Sequence, residues 1–197
     1  MNTAVFNEFP VIKTPRLTLR DIRLSDADKI FEMRSNGRVN QFISRNSMQH
    51  PEDSIALVER TRKAYADKLA IGWAGILRDD NEIIGTCGYN QIDSMNNRAE
   101  IGGELAVDFW GKHIAIEAVS AILSFGLNQM ELHTIEAKVS PENRGAIFLL
   151  ESLGFKKEAH FKDRIYFNQR YFDMAVYTLI KGQEQLLNTD FSGSSPV

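Results

Sequence analysis

The residues best able to do chemistry in this chain lie in one run, Glu104-Leu105-Ala106-Val107-Asp108-Phe109-Trp110-Gly111-Lys112-His113-Ile114-Ala115-Ile116-Glu117-Ala118. Strand-like residues give way there to a small-residue turn, and the turn opens directly on a helical pattern. The first amides of a helix have no intrahelical acceptor and stand at the positive end of its dipole, so such a turn is suited to binding an anion such as a phosphate. Gly111 lets a ligand approach the backbone, and Lys112 adds a charge. A strand, a turn and a helix sharing one glycine is equally how many α/β chains change direction, so the run alone leaves both readings open.

No other segment offers comparable chemistry. Cys87 is the only cysteine, which excludes an intrachain disulfide and a multi-thiolate metal site. Its setting, Ile84-Gly85-Thr86-Cys87-Gly88-Tyr89, reads as a buried strand in which a free thiol acts as a small inert hydrophobe. The 197 residues are 43% hydrophobic and 25% charged with a net charge of −3, which suits one globular domain and gives no basic surface for free nucleic acid. Met1 to Pro10 lacks the pattern of a signal peptide, and no apolar run reaches the roughly 18 to 20 residues of a membrane span. A cytoplasmic protein with no membrane partner is expected.

The elements that must hold the run follow from periodicity. Arg16 to Arg20 alternates as a first strand. Ser25-Asp26 caps a short helix ended by Asn36-Gly37, and a second helix follows Pro51 with Ile55, Val58, Thr61 and Tyr65 on one face. Ile71 to Leu77 and Glu82 to Ile92 form a hairpin through Arg78-Asp79-Asp80-Asn81. Arg98 to Val107 is the next strand, in which Gly102-Gly103 suggests a bulge or a close backbone approach. Gly111 to Gln129 is helical and His133 to Val139 a strand. An apolar helix face from Ala146 to Leu153 is stopped by Gly154, and Ile165 to Ile180 closes the fold, broken at Asn168-Gln169-Arg170. The fold class is α+β, a mixed and mostly antiparallel sheet of about seven strands with helices over both faces. Residues 1–182 are expected to form a single domain and 183–197 a tail.

Several blocks, in order, resemble the GCN5-related N-acetyltransferase (GNAT) superfamily, nearest its RimJ/RimL branch, which acetylates the N-terminal amines of ribosomal proteins. They are Thr14-Pro15-Arg16-Leu17-Thr18-Leu19-Arg20, Ile84-Gly85-Thr86, Ala99-Glu100-Ile101-Gly102, the loop Trp110-Gly111-Lys112-x-x-Ala115-x-Glu117-Ala118, Pro141-Glu142-Asn143, and Leu150-Glu151-x-Leu153-Gly154-Phe155. The resemblance spans about residues 12 to 181. It implies a splayed, V-shaped cleft with acetyl-CoA as cosubstrate and no metal. Leu105, Ala106 and Val107 would line the pantetheine arm, amides of Gly111, Lys112, His113, Ile114, Ala115 and Ile116 would hold the pyrophosphate, and Asn143 would touch the cofactor. Asn143 also fits the third position of a helix capped by Ser140 and opened by Pro141, which needs no ligand.

The chain departs from the family pattern at His113, where the central glycine of the loop usually stands. A Cβ fits there if φ is negative. Ala146 and Leu150 replace two residues that commonly serve the leaving thiolate. On the cleft strand Glu100 and Glu104 lie four residues apart and share a face unless the glycines bulge. Glu104, nearer the expected thioester, is the candidate base, with a solvated strand residue as the bland alternative. Ser140 is the candidate proton donor, an N-cap being enough to explain it otherwise. Asp173 and Tyr177 match family positions lining the acceptor side. The implied acceptor is a protein or peptide N-terminus, with a small amine (polyamine, amino acid or aminoglycoside) or an acyl-CoA-binding module without turnover as alternatives. A homodimer is allowed by the sequence and not required by it.

Overall fold

A computed structural model describes residues 1–78 and 82–185. One eight-stranded sheet runs through it in the order β1-β2-β3-β4-β5-β6-β8-β7. The strands are β1 (Ile12–Lys13), β2 (Leu17–Asp21), β3 (Ile71–Leu77), β4 (Ile83–Asp93), β5 (Arg98–Leu105), β6 (Thr134–Val139), β7 (Lys156–Phe167) and β8 (Arg170–Ile180). The helices are α1 (Ala27–Ser35), the single turn α2 (Gly37–Asn40), α3 (Pro51–Ala66), α4 (Ile114–Asn128) and α5 (Arg144–Ser152). Among the described residues only the β5–β6 pair is parallel, and its connection carries α4, as a parallel crossover requires.

Alternation along the strands divides the core in two. Trp73, Ile71, Tyr89, Ile101 and Ile135 point to one face, where α4 brings Ile114, Ile122 and Phe125. Ala74 and Ile76 point to the other, where Ile30 of α1 and Val58 of α3 meet them. Two polar tips in the first core are tied to backbone carbonyls. The Trp73 indole donates to the Pro10 carbonyl at 2.7 Å, and the Tyr89 hydroxyl donates to the Ile122 carbonyl at 2.7 Å, tying α4 to β4. That second bond explains Gly126 inside α4: a Cβ there would stand 2.0 Å from the Tyr89 hydroxyl.

Several expectations are corrected. The sheet has an eighth strand because Ile12 and Lys13 pair with β2, and β7 begins at Lys156, well before Ile165. The β4–β5 bulge lies in β4 at Asn90, and at Gly102-Gly103 the close backbone approach holds instead, a Gly103 Cβ standing 2.7 Å from the Thr86 carbonyl oxygen; β5 stays regular, and Glu100 and Glu104 do share a face. Asn36 both ends α1 and caps α2, its side chain accepting from the Arg38 amide at 2.9 Å. Asp79, Asp80 and Asn81 of the expected hairpin turn, and residues 186–197 of the expected tail, lie outside the described residues. Among those described, no helix is long and apolar enough to cross a membrane.

Helix propensity alone favours alanine over glycine inside a helix by about 1 kcal/mol. The Tyr89 contact reverses the sign: Gly126→Ala is expected to lower stability by about 1–3 kcal/mol in urea unfolding, since overpacking displaces a ring fixed on every side.

Candidate active site

The pairing of β5 with β6 runs from Arg98↔Thr134 to Ile101↔Ala137 and stops, although β5 continues to Leu105 and β6 to Val139. Beyond that point β5 is bonded only to β4 and β6 only to β8, so the sheet opens between them. The Ala106 amide donates to the Ile84 carbonyl at 2.8 Å. Because bonded and non-bonded pairs alternate along an antiparallel ladder, the N–H and C=O of Leu105 point away from β4, into the opening. The Leu105 carbonyl accepts from the Trp110 indole at 2.8 Å, and the Val107 carbonyl accepts from the Trp110 amide at 3.1 Å. Both groups of Ala106 are used, its carbonyl accepting from Phe109 at 3.0 Å. What the strand end offers a ligand is therefore the amides of Leu105 and Val107.

The loop after β5 winds through a 3-10 turn, Val107–Phe109, and reaches α4 at Ile114, three residues later than the sequence pattern suggests. The delay has a backbone cause: Gly111 and His113 are left-handed, with φ of +73° and +59°. The negative φ expected at His113 is thus overturned. Histidine is among the few side chains that populate this region, at a cost of about 1–2 kcal/mol. No atom stands within 4 Å of where a Gly111 Cβ would be, so its backbone is open to a ligand. The first-turn amides of Ile114, Ala115 and Ile116 find no acceptor among the described residues. Lys112 holds its ammonium over the Phe109 ring, 5.4 Å from the centroid.

A buried carboxylate fixes this loop. Glu117 accepts from the Thr14 hydroxyl at 2.6 Å, the Arg16 amide at 2.9 Å and the Arg16 Nε at 2.6 Å. The same guanidinium donates to the carbonyls of Lys112 at 2.8 Å and His113 at 3.0 Å. In a trans peptide the N–H lies opposite the C=O, so gripping these two carbonyls turns the amides of His113 and Ile114 away from Arg16. Burial pushes the Glu117 carboxyl up, but the bonds from Thr14 and Arg16 outweigh it and hold the group below the usual carboxylate range. The sequence blocks contain Thr14, Arg16 and Glu117, yet nothing local in them signals that they meet.

At the other candidate positions, the expected helix start is corrected: Asn143, not Ser140, caps α5, its Oδ1 accepting from the Ala146 amide at 3.1 Å. The Asn143 amide NH2 has no acceptor among the described residues and is left to donate. Ser140 follows the free end of β6, its hydroxyl accepting from the Glu142 amide at 3.3 Å. Glu100 pairs with Lys138 at 2.5 Å. Asp173 accepts from the Asp163 amide at 2.9 Å and shares a hydrogen with His160 at 2.6 Å, while Tyr177 is buried in the core. Burial pushes the Cys87 thiol up to about 12, which removes it as a nucleophile.

Glu104, on the splayed end of β5, is held by two arginines that sequence reasoning missed. Arg34 of α1 donates through Nε to Oε1, and Arg45, beyond α2, donates through Nη2 to Oε2. The Thr86 hydroxyl adds a bond to Oε1 at 3.3 Å. Oε1 thus has two donors, and Oε2 keeps one lone pair.

Comparison with known proteins agrees with this architecture. The family model for the acetyltransferase (GNAT) domain matches residues 16–156. An uncharacterised N-acetyltransferase of Bacillus subtilis, YoaA, is 34% identical over 176 residues, covering 89% of this chain and 99% of its own. The N-acetyltransferase p20 of Bacillus licheniformis is 36% identical over 168 residues, covering 85% and 94%. RimL, the ribosomal L7/L12 α-N-protein acetyltransferase, in complex with coenzyme A, superposes with a TM-score of 0.80 at 19% identity, covering 87% and 98%. The chain belongs to the GNAT family and is an N-acetyltransferase.

Two outcomes test the loop's anchor. Arg16→Ala is expected to weaken acetyl-CoA binding about tenfold by calorimetry, the worth of one charged hydrogen bond, without unfolding the protein. The native Glu117 carboxyl lies below its ordinary 4.5, so its contribution to stability is complete above pH 4.5 and is lost as pH falls below it. Glu117→Gln should therefore flatten the acid side of the stability curve measured by urea unfolding.

Proposed function

We propose that this chain transfers the acetyl group of acetyl-CoA to the α-amine at a protein or peptide N-terminus, a ribosomal protein being the leading candidate. Acetyl-CoA supplies an activated acyl carbonyl. The open backbone at Gly111, the unpaired amides of Ile114, Ala115 and Ile116, and the charge of Lys112 suit its diphosphate, with His113 beside them. The amides of Leu105 and Val107, flanking Ala106, suit the amide-bearing arm. The free NH2 of Asn143 is one further donor, and the Ser140 hydroxyl is the candidate donor of a hydrogen bond to the departing thiolate, whose proton comes from the acceptor amine.

The clamp on Glu104 is the observation that carries the choice of acceptor. A base already engaged by two guanidinium groups has only one lone pair to offer. Lysine and polyamine amines titrate near 10.4 and arrive almost wholly protonated, whereas an α-amine titrates near 7.7–8.0 and keeps a neutral fraction of about a tenth at pH 7, several hundredfold more. An acceptor that needs little from its base fits this site. Glu104 then takes the remaining proton at Oε2, directly or through a water. The Trp110-Gly111-Lys112 loop, resembling that of the RimJ/RimL branch, supports the same acceptor class.

Glu104→Gln is expected to lower kcat on an N-terminal peptide by about tenfold at pH 7, below the usual range for a general base, and by less above pH 8 where the amine is neutral. Thiol release measures the rate, and calorimetry should find acetyl-CoA affinity unchanged.

A further inference from the structure

We infer that the acceptor carries a carboxylate close to its amine, and that Arg34 and Arg45 recognise it. This rests on the acyl-transfer reading above and adds the charge that the acceptor must bear.

A single arginine presents a planar fork that satisfies both oxygens of a carboxylate at once. Glu104 is not held that way. Arg34 spends only Nε on it, and Arg45 only Nη2, while the Arg45 Nε donates to the Asn40 Oδ1 at 2.8 Å. Both Nη groups of Arg34 and the Nη1 of Arg45 have no acceptor among the described residues. None of the three is sealed from solvent without a partner, since among the described residues the Tyr65 hydroxyl alone is in that condition. The two side chains are 20% and 25% exposed, so their charge is partly shielded from salt while they stay partly open to solvent beside Glu104.

Charge points the same way. Two guanidinium groups against one carboxylate leave an uncompensated positive charge beside the splayed end of β5. Arg60 adds to the field at Arg34, and Arg38 stacks over Trp110 at 5.3 Å. A site of this sign opposes a second cation on the acceptor, as a polyamine would bring, and attracts an anion. The carboxylate has two sources: an acidic side chain early in a peptide, or the α-carboxylate of a free amino acid.

The test uses the wild-type protein and peptides amidated at the C-terminus, alike except for Asp, Asn or Lys at the second residue, beside free amino acids and their amides. Thiol release should give a kcat/KM at least about tenfold higher for Asp than for Asn, and lowest for Lys. Preference among peptides assigns the anion to a side chain, and preference for free amino acids over their amides assigns it to the α-carboxylate. Arg45→Ala should bring the preference within about twofold while acetyl-CoA affinity holds, with Arg45→Lys in between. Equal rates for acid and amide acceptors overturn the inference and leave the transfer reading standing. Transfer to no acceptor overturns both.

Discussion

A β-sheet is continuous only while neighbouring strands keep exchanging backbone hydrogen bonds, and between β5 and β6 the exchange ends at Ile101↔Ala137. The candidate site depends on that interruption. The strand ends beyond it have lost one neighbour each, so their polar backbone must be satisfied by something other than sheet. On β5 the Trp110 indole takes one carbonyl, and an amide-bearing ligand is suited to the rest. The helix that follows presents unpaired amides at the same end of the strand. A gap in the sheet and a helix start thus form one polar surface from two kinds of unfinished secondary structure.

The β5 side of the gap is stiffened by charge from distant parts of the chain. Arg16 reaches from the N-terminal segment to the loop, with Glu117 fixing its guanidinium. Arg34 and Arg45 reach across the opposite face to Glu104. Measured against well-packed apolar side chains of the same volume, part-buried pairs of this kind gain little stability. Their effect is positional: each holds a group whose direction matters to a ligand.

The elements were largely legible in the sequence because their patterns are local. Alternation marked the strands, Pro51 opened α3, and Gly154 stopped α5. The motif blocks led to the family for the same reason. What the sequence hid was long-range or conformational. Nothing near Arg34 announces a partner 70 residues away. The left-handed His113 is invisible to periodicity, and so the start of α4 was misplaced by three residues. Ser140-Pro141 has the composition of a helix start, yet Asn143 takes the cap because its side chain reaches the Ala146 amide. Gly126 looks like a weak point in a helix until Tyr89 is seen to occupy the space.

The reach of Arg16 bears on how the site comes into being. Its carboxylate partner lies 101 residues further along, and β2 is seated by β3, also far along the chain. Closing such loops costs entropy that local turns do not, so contacts of this span are slow to form. The loop before α4 therefore cannot be shaped by its own sequence as a preformed nest. It acquires its geometry only when the segment between β1 and β2 has docked against a helix made much later in synthesis, so an incomplete chain lacks the loop in this form.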